Sequence, residues 1–232
     1  MIVRVLEKVR RSTLLDEVYA ATDSLVIAQA VEQHGAKAIM TSGEHLSGTD
    51  RVAEAARIIG LAADDIVVNV QGDQPLMDPL LVDEVVRPLM DDPCVPMSTL
   101  VYRIVRDEEI DYPNAVKTVM DQDGFAIYFS RATIPFFRGG KAEATYYKHH
   151  GIYAYRGDFL QTFASLPQGP LEKAEGLEQL RAIEHGHRIK TAVTDKDSIE
   201  VDTQADLERV RIEFARECDS TGKVLPPNPH PL

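Results

Sequence analysis

The chain is poor in cysteine and in positive charge, and it has no long apolar run. Cys94 and Cys218 stand far apart without CxxC or Cys/His spacing. That argues against a disulfide framework and a structural zinc site, and makes a reducing compartment the default. Lys and Arg number 25 against 37 Asp and Glu, a formal charge of −12 at pH 7. Phosphate repulsion then argues against non-specific binding to nucleic acid or an anionic membrane. Small anionic ligands stay open, because a local cluster of Arg, Lys and metal inverts the field of a site. No apolar stretch reaches membrane-spanning length, and the first residues lack the regions of a signal peptide, so the expectation is a cytoplasmic protein. A Walker sequence is wanting, as is a GxGxxG after any strand, which weakens a dinucleotide-dependent dehydrogenase.

What is there is an α/β rhythm. Apolar residues at 2, 3, 5, 6 and 9 predict an amphipathic helix over 1–11. Strands over 18–22, 37–41 and 66–70 alternate with helices over 25–34, 50–59 and 80–90, the pattern of βαβ units and a mostly parallel sheet. After Pro93 the rhythm changes. Strands over 97–102, 115–120, 126–129 and 146–156 follow, with Asp121 to Gly124 as a hairpin turn. Helices over 157–165 and 171–185, a strand over 189–193 and a helix over 204–216 complete the pattern. The expected division is one domain over 1–218 and a Pro-rich, disordered tail over 219–232.

Three stretches carry possible chemistry. Asp65 to Val70 is a β-branched run without polar alternation, as in a strand buried on both faces. It ends abruptly in Gln71-Gly72-Asp73-Gln74-Pro75, delivering a carboxylate at a strand's carboxyl end, where open α/β sheets bind ligands. Asp73 is either a metal ligand or the cap of the helix starting near Pro79. Thr41 to Arg51 runs from a strand end into a helix and suits an anion or a nucleotide. By composition alone it is better read as a helix with a Thr or Asp cap, and His45 as a surface residue. Asp202 either caps the last helix or meets Asp73 around a shared divalent ion. Magnesium asks for only one or two carboxylates and completes its shell with water and substrate phosphates.

The second half offers Arg131, Lys148 to Arg156, and Leu177 to Arg181. Strand alternation puts His149, Gly151, Tyr153 and Tyr155 on one face and His150, Ile152 and Ala154 on the other, so the adjacent histidines do not chelate as a pair. Arg, His and Tyr suit a carboxylated, polyhydroxylated substrate, because the Arg fork fits a carboxylate while His and Tyr reach hydroxyls. Glu178 and Gln179 read as ordinary surface residues of a helix.

Taken in order, SGxHxSGTDR, VVNVQGDQP, PNAVK, YFSRATIP, HxGIYAYR, PLExAExLEQLR and VDTxxDLERVR resemble the 3-deoxy-manno-octulosonate (Kdo) cytidylyltransferases of lipopolysaccharide biosynthesis. The resemblance runs from about Met1 to Arg211. It implies an α/β fold of the nucleotide-diphospho-sugar transferase (glycosyltransferase-A-like) type, a mostly parallel mixed sheet with flanking helices and an antiparallel insertion, in a homodimer. The implied reaction is CTP plus Kdo giving CMP-Kdo and pyrophosphate, with magnesium. Asp73 and Asp202 are the implied catalytic carboxylates and magnesium (Mg2+) ligands. Ser47, Gly48, Thr49 and Arg51 are implied nucleotide contacts. Gln71, Arg131, His149, Tyr153, Glu178 and Gln179 are implied contacts to the sugar acid. Other sugar acids remain open as substrates.

The chain departs from the family in one respect. Members begin with a buried strand and a basic, glycine-containing loop before the helix that here starts at Met1. Without them, the expectation is unpaired neighbouring strands and a triphosphate lacking an Arg and a Lys, each such donor being worth roughly 3 kcal/mol in the transition state. Either the true start lies upstream of Met1, the favoured reading, or catalysis is impaired and the chain is an inactive homologue.

Overall fold

The computed structural model describes residues 1–45, 47–139, 144–197, 201 and 204–221. Helix α1 (Ile2–Val9) buries Val5, Leu6 and Val9, the stripe expected of an amphipathic helix. Strand β1 (Tyr19–Thr22), helix α2 (Leu25–Gln33) and strand β2 (Lys37–Met40) form a βαβ unit with parallel pairing, Tyr19 opposite Lys37. Ser24 starts α2 by accepting from the Ile27 N–H. Helix α3 (Gly48–Ile59) ends at Gly60, whose φ of 78° is the left-handed conformation that closes a helix most readily with glycine. Strand β3 (Ile66–Asn69), helix α4 (Leu80–Asp91) and strand β4 (Met97–Arg103) follow.

The second half comprises α5 (Asp107–Ile110), β5 (Lys117–Met120), β6 (Ala126–Ser130), β7 (Tyr147–Arg156), α6 (Gly157–Ser165), α7 (Pro170–Glu175), α8 (Leu180–Glu184), β8 (Lys190–Thr194) and α9 (Gln204–Thr221). Helix α5 was not expected. The helix expected over 171–185 is broken: Gly176 turns left-handed (φ 63°), its N–H returns to the Glu172 carbonyl, and Leu177 drops into the core. Helix α9 runs past the expected end at 216, into the first residues of the expected tail; 222–232 lie outside the described residues.

The main sheet has the order β6-β5-β7-β4-β8, with β3 also on β7. It is mixed, as expected, but not mostly parallel: β3, β4, β5 and β8 run one way, β6 and β7 the other. Among its described ladders only β4–β8 is parallel, because the long β7 runs against its three partners. The ten-residue β7 is its spine. One edge of β7 pairs with β4 along its length, while the other carries β3 up to Tyr153 and β5 from Lys148. Between those two partners the ladder with β4 shifts, Thr99 facing Tyr153 and Leu100 facing His150. The shift is two residues, so the two faces of β7 keep their alternation. The fully buried Thr99 hydroxyl serves this irregular stretch, lying 2.8 Å from the Ile152 carbonyl and 3.1 Å from that of His150. The chain leaves β3 into the Asp73 turn beside it. Among the described residues no ladder joins β1 and β2 to this sheet.

Apolar side chains fill both faces. Phe129, Tyr153 and Tyr155 pack with Ala53 and Ala56 of α3, Phe163 of α6 and Leu180 of α8. On the other face Leu100, Ile152 and Ala154 pack with Val5 and Val9 of α1 and Leu81, Val82 and Val85 of α4. The result is a sheet covered by helices on both sides, the α/β class expected. No described helix is long and apolar enough to cross a membrane.

Candidate active site

The loop from β2 into α3 is organised by hydroxyls. Ser47 is the N-cap, its side chain accepting from the Asp50 N–H at 3.1 Å, so the cap is neither the Thr nor the Asp expected. Gly48 permits a close approach: a Cβ there would lie 3.0 Å from the Gln71 side-chain nitrogen. Thr49 is buried, and its hydroxyl donates to Glu178 Oε2 at 2.8 Å while receiving the Asn69 amide at 3.4 Å. Gln71 in turn donates to Asn69 Oδ1 at 3.1 Å. Four side chains thus form one chain, Gln71–Asn69–Thr49–Glu178, joining the end of β3, the start of α3 and the turn between α7 and α8. Arg51 turns to the ends of β1 and β2, donating to the Thr41 hydroxyl (2.8 Å) and the Ser42 carbonyl (3.3 Å) and lying 3.4 Å from Asp23 Oδ1. His45 is half-buried against Glu54 and does not stand free on the surface.

Glu178 and Gln179 are likewise not surface residues. The break at Gly176 turns them inward, Gln179 to 3 % exposure. Burial pushes the Glu178 carboxyl above its usual range, against the hydroxyls of Ser47 and Thr49 and the Arg181 charge. Arg181 itself is buried and grips Glu172 with two parallel hydrogen bonds of 2.9 and 2.6 Å. The Tyr155 hydroxyl, 3.5 Å from that of Thr49, is raised by burial and stays protonated.

His149 and Tyr153 share a face of β7, as alternation predicts, with ring centroids 5.2 Å apart. His149 also meets the Phe129 ring edge-on at 5.1 Å, and its Nε2 lies 3.0 Å from the Thr99 hydroxyl. Burial, with His150 adding to it, pushes the imidazole down to about 3. It is neutral, a polar wall rather than a cation. Arg131 is held by Glu175: its N–H and Nε donate to that residue's carboxylate and carbonyl (2.9 and 2.8 Å), and Nη1 reaches the Pro113 carbonyl at 3.2 Å. Lys117, wholly buried beside it, donates to the Tyr112 carbonyl at 2.8 Å, and burial lowers its ammonium. Asn69, Thr99, Lys117 and Glu175 were not singled out by sequence. Of these, Asn69, Lys117 and Glu175 lie within VVNVQGDQP, PNAVK and PLExAExLEQLR, and Thr99 lies in none of the motifs.

Asp73 lies in the turn after β3. It does not cap α4, whose N-cap is Pro79 without a side-chain bond; Asp78 accepts from the Leu80 N–H instead. The Asp73 carbonyl accepts from the Val201 N–H at 3.0 Å, so the segment returning from β8 docks on this turn. Asp202, the next residue, lies outside the described residues, as do Thr203 and Leu46. An aspartate carboxylate at a strand's carboxyl end is a hard oxygen donor of the kind magnesium takes singly or in pairs, and the donor chemistry fits that ion. An open groove of about 500 Å3 between α4 and β8, lined by Glu84, Arg87, Phe125 and Lys190, contains none of these residues.

A family model described as cytidylyltransferase matches residues 1–189. The 3-deoxy-manno-octulosonate cytidylyltransferase of Syntrophus aciditrophicus (strain SB) is 56% identical over 211 residues, covering 91% of this chain and 85% of that protein. The 8-amino-3,8-dideoxy-manno-octulosonate cytidylyltransferase of Shewanella sp. (strain ANA-3) is 49% identical over 90% of this chain and 85% of its own. A solved structure of CMP:2-keto-3-deoxy-manno-octonic acid synthetase complexed with CTP superposes with a TM-score of 0.87 at 41% identity, covering 93% of this chain and 88% of that one. The 4-diphosphocytidyl-2C-methyl-D-erythritol synthase of Anaerococcus prevotii, at 12% identity and a TM-score of 0.58, shares the fold.

Proposed function

The chain belongs to the cytidylyltransferase family, and from that premise we propose that it transfers CMP from CTP to Kdo, releasing pyrophosphate. The observation that carries this reading is the side-chain path Gln71–Asn69–Thr49–Glu178, which draws the QGD, SGTDR and LEQLR motifs together. The anomeric hydroxyl of Kdo bonds to the α-phosphorus of CTP as the bond to the β-phosphate oxygen breaks. The N-terminus of α3, with Ser47, Gly48 and Thr49, presents backbone N–H groups and hydroxyls to the nucleotide. Arg51 is braced by Thr41, Ser42 and Asp23 to serve the same ligand. Arg131 takes the sugar carboxylate, Gln71, Glu178 and Gln179 take hydroxyls, and neutral His149 with Tyr153 forms the wall that orients the ring.

Asp73 and Asp202 are the residues that would hold Mg2+. When bound, the ion would neutralise phosphate charge and acidify the attacking hydroxyl. A homodimer is part of the reading, supported by exposed Ile127 on the edge strand β6 and Phe136 just beyond it. So is a cytoplasmic location, which suits the exposed free thiol of Cys94.

The test is pyrophosphate release from CTP and magnesium with a panel of acids: Kdo, its 8-amino-8-deoxy analogue and a sialic acid. The reading expects the largest kcat/KM with Kdo. A larger value for the amino sugar moves the assignment to the activity named for the Shewanella relative. Release with none of the three overturns transfer altogether.

A further inference from the structure

Asp73 is held by more than the strand that precedes it. After β8, the described residues are tied down at two points, Asp197 and Val201. Asp197 Oδ1 receives Lys148 Nζ at 2.7 Å, and Asp197 Oδ2 receives Arg106 at 3.2 Å. The Val201 N–H then reaches the Asp73 carbonyl at 3.0 Å.

The Asp197 tie is built into a network of ion pairs. Arg106, Glu109, Lys148 and Asp197 alternate in sign around a closed ring, with Lys148 also 2.8 Å from Glu109 Oε1 and Arg106 paired to Glu109. Lys148 is 8 % exposed, and its ammonium sits 5.2 Å from the Tyr102 ring centre. A buried lysine shared between two carboxylates is fixed in place, unlike an exposed pair.

We propose that Lys148 is a positioning residue: by fixing Asp197 it sets where Val201 meets the carbonyl of Asp73. Four residue steps separate Asp197 from Val201, so a fixed Asp197 keeps Val201 within about 14 Å of itself. The same strand anchors the turn from its other side, because Tyr153 of β7 faces Asn69 at the end of β3. Lys148 also immediately precedes His149. One strand therefore serves as the reference for both the sugar-acid wall and the acidic turn, and Lys148 is the link between that strand and the returning segment. The consequence for metal binding rests on the function proposed above; the contact itself does not.

Amide hydrogen exchange and manganese binding, the latter read by electron paramagnetic resonance without substrates, test this on the full chain. In Lys148→Met, protection of the Val201 amide is expected to fall at least tenfold and the half-saturating Mn2+ concentration to rise several-fold. Lys148→Arg should restore both. Asp197→Asn, changed on the other side of the contact, should reproduce the Met phenotype without altering β7. Unchanged Val201 protection in Lys148→Met and Asp197→Asn overturns the proposal. So does protection lost equally across β4 and β7, which would make Lys148 a general support. If wild-type protein neither binds Mn2+ nor releases pyrophosphate, the proposed function fails, and the Val201 response still decides the positioning role.

Discussion

The hydroxyl of Thr49 donates to the carboxylate of Glu178 across 2.8 Å, although 129 positions separate the two in sequence. This contact fastens the α7–α8 turn to the N-terminus of α3. Thr49→Val keeps the shape and removes the donor, leaving a carboxylate in the interior with less compensation. The expected cost is about 1–3 kcal/mol in stability, and kcat/KM falls while Thr49→Ser retains both. Chemical denaturation of the three proteins, alongside pyrophosphate release, measures it. Equal midpoints for Val and Ser would show that the hydrogen bond contributes nothing.

A second consequence concerns acid. Burial pushes His149 down to about 3 and His150 to about 4, so each takes up a proton on unfolding below its ordinary value of about 6.5. The unfolded chain binds the extra protons. Stability is therefore complete above pH 6.5 and falls as pH drops, down to about 4 for His150 and about 3 for His149. The slope approaches about 1.4 kcal/mol per pH unit for each. Glu178 works in the opposite sense, since its raised carboxyl costs stability as pH climbs through its folded value. Denaturant midpoints between pH 7 and pH 4 should drop steeply in the wild type and less so in His150→Gln, whose position lies away from the sugar-acid wall. A wild-type slope that the variant leaves unchanged would sink this account.

Asp83 makes a third. It is 5 % exposed on α4, yet it accepts from the Ser12 hydroxyl, the Thr13 N–H (3.1 Å) and hydroxyl (2.8 Å), and the Leu14 N–H (3.3 Å). Burial pushes its carboxyl up, but these donors more than reverse that and hold it low. This one carboxylate collects the hydrogen bonds of residues 12–14, beside the packing of Leu14, Leu15 and Val18 on the core. Asp83→Ala leaves several buried donors unmet, an expected loss of about 3 kcal/mol. The activity of the remaining folded protein, assayed well below the melting temperature, should be nearly unchanged.

Much of this was legible beforehand, and the exceptions have physical causes. Strand β3 declared itself as a strand through its β-branched run, although Ile66, Val67 and Val68 are half-buried and its described ladder, to β7, is antiparallel. The alternation of His149 and Tyr153 against His150 and Ile152 survived a shifted ladder because the shift is an even number of residues. The break at Gly176 was harder, since a single glycine inside a helical pattern is often tolerated. The sharper signal was glycine followed by Leu177, the left-handed closure with an apolar contact behind it. Missing it turned Glu178 and Gln179 into surface residues by pattern, a placement only the family resemblance corrected. The role of Asp83 had no local sign at all. Its partners lie about seventy residues upstream, and an aspartate in the first turn of a helix reads as ordinary.

Asp73 gives the most direct test of the chemistry. Its side chain is not needed to start α4, where Asp78 serves, and its link to Val201 runs through the backbone carbonyl. Asp73→Asn preserves that carbonyl and nearly the same volume while removing the charge. The fold should therefore persist, with a melting temperature close to wild type in the absence of metal. What disappears is the response to metal: magnesium should raise the wild-type melting temperature and leave the variant's unmoved, and pyrophosphate release should fall by at least a thousandfold, about 4 kcal/mol. A magnesium-dependent rise that survives in Asp73→Asn would remove this aspartate from the metal site even if activity were lost. Retained turnover would remove it from the reaction.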